Sequence, residues 1–278
     1  MLLCGCDGVF GLTHIHADGD DQVIVAMDAP AADVTISDAL TCWLPGLVQY
    51  DSDTDGFPDG CDNCPGEANP PQNDEDHDGV GDECDPHLGD AHDHLAFFDG
   101  FQTTDPLWVA RGTDGDWKHN VGEWIQTRGI STTNTQLVYG KSFRSPSVAV
   151  TFFGQLTPPH ASTVGVFALM DPSSTSNPPD GVLCGLSVTD KTRVHIIELV
   201  NGDVANGNEQ VGASTLPTSG IAHLLATSRD CTARKAGTVA PTMRVALPTP
   251  VAQAMSPIAL SAYQSSVRFT SVTVIETY

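Results

Sequence analysis

No lysine or arginine occurs before Arg111, yet residues 1–94 carry 22 of the chain's 35 Asp and Glu side chains. Such a stretch cannot collapse by itself, because every carboxylate brought near another raises the Coulomb energy. It stays extended or it takes up cations. Residues 95–278 hold 13 acidic and all 12 basic side chains, so the net charge of −23 belongs almost wholly to the front of the chain. A polyanion repels nucleic acid and anionic lipid, and neither is expected as a partner.

The acidic part is organised as a repeat. Asp51 to Asp62 reads DSDTDGFPDGCD and Asp74 to Asp85 reads DEDHDGVGDECD, and both fit D-x-D-x-D-G-x-x-D-x-C-D. Calcium takes six to eight oxygen ligands in a flexible cage, and carboxylates at loop positions one, three and five converge on one ion if the chain then turns sharply. Those positions are Asp51, Asp53, Asp55 and Asp74, Asp76, Asp78, followed by Gly56 and Gly79 for the turn. Position seven offers the carbonyls of Phe57 and Val80, position nine Asp59 and Asp82, and position twelve Asp62 and Asp85. Pro45, Pro65, Pro70 and Pro71 exclude the flanking helices of an EF-hand. His77 occupies a variable loop position and is expected to face water.

Four of the eight cysteines lie here, and the spacing favours Cys42–Cys61 and Cys64–Cys84, each closing a loop of similar size around one aspartate ladder. Closing a loop of about 20 residues contributes roughly 3 kcal/mol in the chain-entropy picture. Disulfides and metal would replace a hydrophobic core that this segment lacks, and they place the protein in an oxidising compartment. A zinc site is disfavoured because the four cysteines form no two close pairs and hard aspartates surround them. A redox C-x-x-C at Cys61–Cys64 lacks its strand–helix setting.

The run Asp62-Asn63-Cys64-Pro65, then Asn69-Pro70, Gln72, the aspartate ladder and Gly81-Asp82-Glu83-Cys84-Asp85 resembles the thrombospondin type 3 repeat over residues 42–86. That resemblance implies calcium ions wrapped by irregular backbone, with Asn69 adding a side-chain oxygen. Cys61 and the opening Trp43-Leu44-Pro45-Gly46 depart from the family pattern, so the first repeat is expected to hold fewer ions than the second. At the N-terminus, Leu3-Cys4-Gly5-Cys6 resembles the end of a bacterial lipoprotein signal, which implies acylation at Cys6, an outer-membrane surface location and a start further upstream. Two incidental cysteines are the alternative. No apolar run is long enough for a transmembrane helix, so a membrane is expected only through that anchor. Residues 1–41 read as an extended acidic leader and 87–94 as a solvated linker, although His87, His92, His94, Asp90 and Asp93 also have metal-ligand chemistry.

From Leu95 the pattern becomes short apolar runs separated by Gly, Pro, Asn and Ser-Thr clusters. Strands are predicted at 96–101, 123–127, 135–139, 148–153, 164–170, 181–188, 193–200, 221–227, 242–246, 258–263 and 267–276, the signature of an all-β sandwich. Phe97-Phe98-Asp99-Gly100-Phe101 with Trp108, Trp117 and Trp124, and the ending Ile258-Ala-Leu-Ser-Ala then Val267-Arg-Phe-Thr-Ser-Val-Thr-Val, are similar to concanavalin-like sandwiches. The expected fold is mainly β: a concanavalin-like jelly roll over 95–278 preceded by an irregular calcium- and disulfide-stabilised segment. Cys184–Cys231 is expected as a disulfide, and the three tryptophans as core rather than sugar platforms. No E-x-D-x-E cluster, G-x-S-x-G, Walker loop or H-E-x-x-H occurs, so no enzymatic activity is expected. The leading expectation is a surface protein whose calcium spacer presents a lectin-like sandwich for adhesion or polysaccharide binding. A purely structural envelope protein contacting a surface protein, and a glycoside hydrolase with a carboxylate pair in a cleft, are the other classes.

Overall fold

The last strand organises the structure. A computed structural model describes residues 49–111, 117–126, 134–155, 162–188, 191–212, 219–235, 243–252 and 255–278. The chain divides into two compact units, Met1–Thr41 and Cys42–Tyr278, and the described residues all belong to the second. The leader, Cys6 and Cys42 lie outside the described residues. In strand β15, Ser266–Thr277, the side chains of Val267 and Phe269 enter the core, and after a bulge between Phe269 and Ser271 the buried parity passes to Val272 and Val274. The extra residue of a bulge has this effect on every side chain that follows.

Around it run the strands β1 (Asp93–Asp99), β3 (Trp117–Asn120), β4 (Glu123–Gln126), β6 (Ser147–Gln155), β11 (Ser219–Ala226), β12 (Asp230–Lys235) and β13 (Met243–Ala246). They form one antiparallel sheet in the order β13-β12-β11-β6-β15-β4-β3, with β1 also paired to β15. The second sheet has the order β10-β9-β8-β7-β14-β5-β2. Its members are β2 (Trp108–Arg111), β5 (Thr135–Arg144), β7 (Ser162–Met170), β8 (Gly181–Val188), β9 (Thr192–Val200), β10 (Asp203–Gly212) and β14 (Met255–Tyr263). Phe152, Leu224 and Phe269 from the first sheet meet Val166, Ile196 and Leu260 from the second in one shared core. The expected fold class is the observed one: two antiparallel sheets packed face to face, with no helix among the described residues. No helix there is long and apolar enough to cross a membrane. Trp108, Trp117 and Trp124 belong to this core. Cys184 of β8 and Cys231 of β12 form the expected disulfide, which stitches the two sheets together inside it.

All eleven predicted strands are present. The four missed ones are β2, β3, β10 and β12. Nearly all of β10 is exposed, so it carries no apolar alternation to detect. The other three are short, with at most six residues each.

The acidic segment is not a spacer that holds the sandwich at a distance. It lies as a third layer on the outer face of the first sheet, where Ser271, Thr273 and Ile275 are 4%, 4% and 0% exposed. Gly66 lies close against it: a Cβ would stand 3.0 Å from Ser271 Oγ and 3.1 Å from Thr273 Oγ1, so those side chains would have to give way. The Gly66 carbonyl accepts from Thr151 Oγ1 at 3.2 Å. Cys64, Val80 and Cys84 close an apolar contact with Ile275 and Leu95. The stretch 87–94, expected as a linker, ends inside β1, with Asp93 and His94 paired to Thr277 and Glu276.

Arg234 fastens this layer. Its guanidinium pairs with Glu67 and donates to the Glu83 carbonyl at 3.2 Å, and both side chains of the pair are 14% exposed. Removing one partner strands the other charge in a poorly hydrated place, which costs about 3–5 kcal/mol. Arg234→Ala is therefore expected to lower the urea unfolding free energy by about 3 kcal/mol, and Arg234→Ala with Glu67→Gln to recover part of it. A loss below about 0.5 kcal/mol in the single variant would show that the contact is not what seats the layer.

Candidate metal-binding loops

The two aspartate loops share three backbone-to-carboxylate hydrogen bonds at equivalent positions. Asp51 accepts from the Gly56 N–H at 3.1 Å and Asp74 from the Gly79 N–H at 3.0 Å. Asp55 accepts from Phe57 N at 2.8 Å and Asp78 from Val80 N at 2.9 Å. Asp59 accepts from Ser52 N at 2.6 Å and Asp82 from Glu75 N at 2.8 Å. The turns match as well: Gly56 and Gly79 have φ of 103° and 94°, where a side chain is strained. Position four, Thr54 and His77, is left-handed at 64° and 68°, and both side chains are exposed.

Within each loop one carboxylate oxygen from each of three aspartates lies within 4.8 Å of the others, in Asp51, Asp53, Asp55 and in Asp74, Asp76, Asp78. Asp53 Oδ2 and both oxygens of Asp76 are buried and receive no hydrogen bond. Buried carboxylate oxygens without donors are costly unless a cation sits against them. Burial, with Asp62 and Asp55 nearby, pushes Asp53 up to about 8. Burial likewise pushes Asp62 up to about 6 and Asp85 to about 7, the latter helped by Asp93, Asp78 and Asp76. An all-oxygen, carboxylate-rich set fits a hard divalent ion such as calcium, which would supply the missing positive charge.

Asn69, expected to add a side-chain oxygen to an ion, is 1% exposed. Its N–H donates to Asp55 Oδ2 at 3.0 Å, and its side chain touches Asn63 at 2.7 Å and Gln72 at 2.9 Å. Gln72 Nε2 also reaches Asp62 at 2.8 Å. Cys64–Cys84 is formed as expected, and Cys61 is disulfide-bonded while its expected partner Cys42 lies outside the described residues. Asp93 sits outside the repeat, where a solvated linker was expected with transition-metal ligation as the alternative, and it meets the second loop. Its N–H donates to Asp78 Oδ2 at 2.9 Å, and burial of its carboxylate is outweighed by bonds from His87 at 2.8 Å and Thr277 at 2.7 Å, which hold it below the usual carboxylate range. The register of β1 on β15 is what brings Thr277 to Asp93.

No protein-family model and no curated protein matches the chain. Solved structures do resemble it. A β-1,3-1,4-glucanase (lichenase) derived from a mouse hindgut metagenome superposes with a TM-score of 0.46 and 12% identity, over 66% of this chain and 99% of its own. A carbohydrate-binding module from Bacillus subtilis gives 0.40 and 12%, over 59% and 92%, and a legume lectin-like domain from Entamoeba histolytica gives 0.46 and 8%, over 62% and 91%. The expectation of no enzymatic activity does not stand. Glycoside hydrolases recur among the similar structures, and the missing E-x-D-x-E cluster speaks to that one arrangement alone. Among carboxylates that no motif marks, Asp99 accepts from Trp108 Nε1 at 2.8 Å and Asp105 from the Tyr139 hydroxyl at 2.9 Å.

The raised carboxylates set a sign for stability. Asp53, Asp62 and Asp85 bind protons more tightly in the folded, metal-free chain than at the ordinary value of 3.8, so the folded state gains protons relative to the unfolded one as pH falls through about 8, 7 and 6. In chelator, the urea midpoint is expected to rise as pH drops from about 8 to about 6.5. Below that, burial of His195 and His223, both held near 4, works the other way, because their unfolded forms protonate first. A midpoint that falls steadily from pH ~8 downward contradicts the assignment.

Proposed function

We propose that this is an exported, calcium-locked carbohydrate-binding protein of the cell surface. The observation that carries the calcium part is the matched pair of loops with buried, donor-free oxygens on Asp53 and Asp76. Asp51, Asp53, Asp55, Asp59 and Asp62 would hold ions in the first loop, and Asp74, Asp76, Asp78, Asp82 and Asp85 in the second, with the carbonyls of Phe57 and Val80 as further oxygens. Two intact disulfides support export, since such bonds persist outside the reducing cytosol. The lectin-like β-sandwich supports a carbohydrate as the partner. The ion's part is to cancel the repulsion among the carboxylates. The chain's own residues then do the rest: Val80 and the Cys64–Cys84 bridge press on Ile275, and Gly66 lies on Ser271 and Thr273.

A calorimetric calcium titration of oxidised, chelator-stripped protein tests this. Several sites are expected, with unfolding free energy rising by about 2.7 kcal/mol per site at a hundred-fold excess over Kd. Asp76→Asn is expected to weaken the second loop at least about ten-fold while leaving the first in place. Absence of any heat at millimolar calcium sinks the calcium reading. A glycan array probed with the loaded protein tests the carbohydrate part, which an array without a single calcium-dependent signal would end.

A further inference from the structure

Where the acidic layer meets the outer face of the first sheet, the two leave a cavity of about 650 Å³ between them. That is within the range of small-molecule sites. We propose that it is a glycan site, in which a neutral, polyhydroxylated sugar bridges the second calcium loop and the wall formed by β11, β12 and β13; the assignment rests on the reading above.

The two loops, alike in their internal bonds, differ in how they are closed. Asp59 and Asp62 of the first are each 1% exposed. Ser52 donates to both oxygens of Asp59, and Cys64 N and Gln72 Nε2 donate to Asp62. The equivalent Asp82 and Asp85 are only partly buried and line the cavity. An ion in the second loop that wants six to eight oxygens therefore has a side from which an outside oxygen can approach. Glu83 lines the same cavity, and its Oε2 is buried without a donor.

The facing wall belongs to the sandwich. His223, Thr232, Arg234 and Arg244 line it. His223 is fixed through Thr151 Oγ1 at 2.9 Å, which leaves its other ring nitrogen for the cavity, and Arg244 lies 3.5 Å from Asp230. Charge selects the ligand class. Carboxylates outnumber guanidinium groups around the cavity, so an anion is repelled, while hydroxyl groups donate to carboxylates and accept from Arg and Thr. Vicinal hydroxyls can serve an ion and a side chain at once.

The test titrates the oxidised, calcium-loaded full chain with soluble mannan and soluble β-glucan. One of them is expected to bind, to be released by chelator, and to bind about ten-fold more weakly to Arg244→Ala and to Thr232→Val, with calcium binding and the unfolding midpoint unchanged. Neither substitution touches a loop carboxylate. Binding that both variants retain in full overturns the cavity assignment and leaves the broader carbohydrate reading standing. Binding that survives chelation overturns the role of the ion. If neither probe binds the parent protein, the assignment fails; calcium titration in the same cell then separates that failure from one of the loops themselves.

Discussion

Repulsion between carboxylates is the condition around which the front of this protein is arranged. Two like charges about 4 Å apart cost roughly 4 kcal/mol at an effective dielectric of about 20, and each loop gathers three aspartates at such a spacing. Turning backbone N–H groups onto Asp51, Asp55, Asp74 and Asp78 answers part of that cost. The oxygens that point inward remain. Protonation or a cation must supply what the backbone cannot, and burial first, then Asp62 and Asp55, makes Asp53 reluctant to ionise without one.

The second requirement is a core, and the acidic segment borrows one. Val80, Leu95, Ile275 and the Cys64–Cys84 bridge form a small apolar cluster that neither part of the chain has alone. The bulge in β15 matters here. It returns Val272 and Val274 to the sandwich interior and leaves Ser271, Thr273 and Ile275 on the outer face as a seat. A shared cluster and the partly buried ion pair at Arg234 join the acidic layer to the sandwich.

The loops were legible because every identical position in the repeat has a local job, and the hydrogen bonds repeat with it. The sandwich was legible from alternation, as in Val148, Val150 and Phe152 or Val182, Cys184 and Leu186. The third layer was not. Ser271 and Thr273 alternate with buried valines just as solvent-facing residues do, and nothing local to them says that Gly66 will lie on top. Asp93 was read as part of a linker because Asp78 and Thr277 lie far from it in sequence, and Thr277 is brought to it only by β1 pairing with β15. The polar edge strand β10 gave no periodic signal at all. What the sequence hid in each case was long-range placement.

The seat of the acidic layer has a consequence for the order of assembly. Asp93 is bound by Thr277, 184 residues away, and β15 ends one residue before the final tyrosine. Residues 49–92 leave the ribosome well before β15, the strand whose outer face they lie on. Until β15 has been made the ladder has nothing to dock on, and its carboxylates repel one another. Its completion waits for that strand, in whatever ionic surroundings the chain then meets.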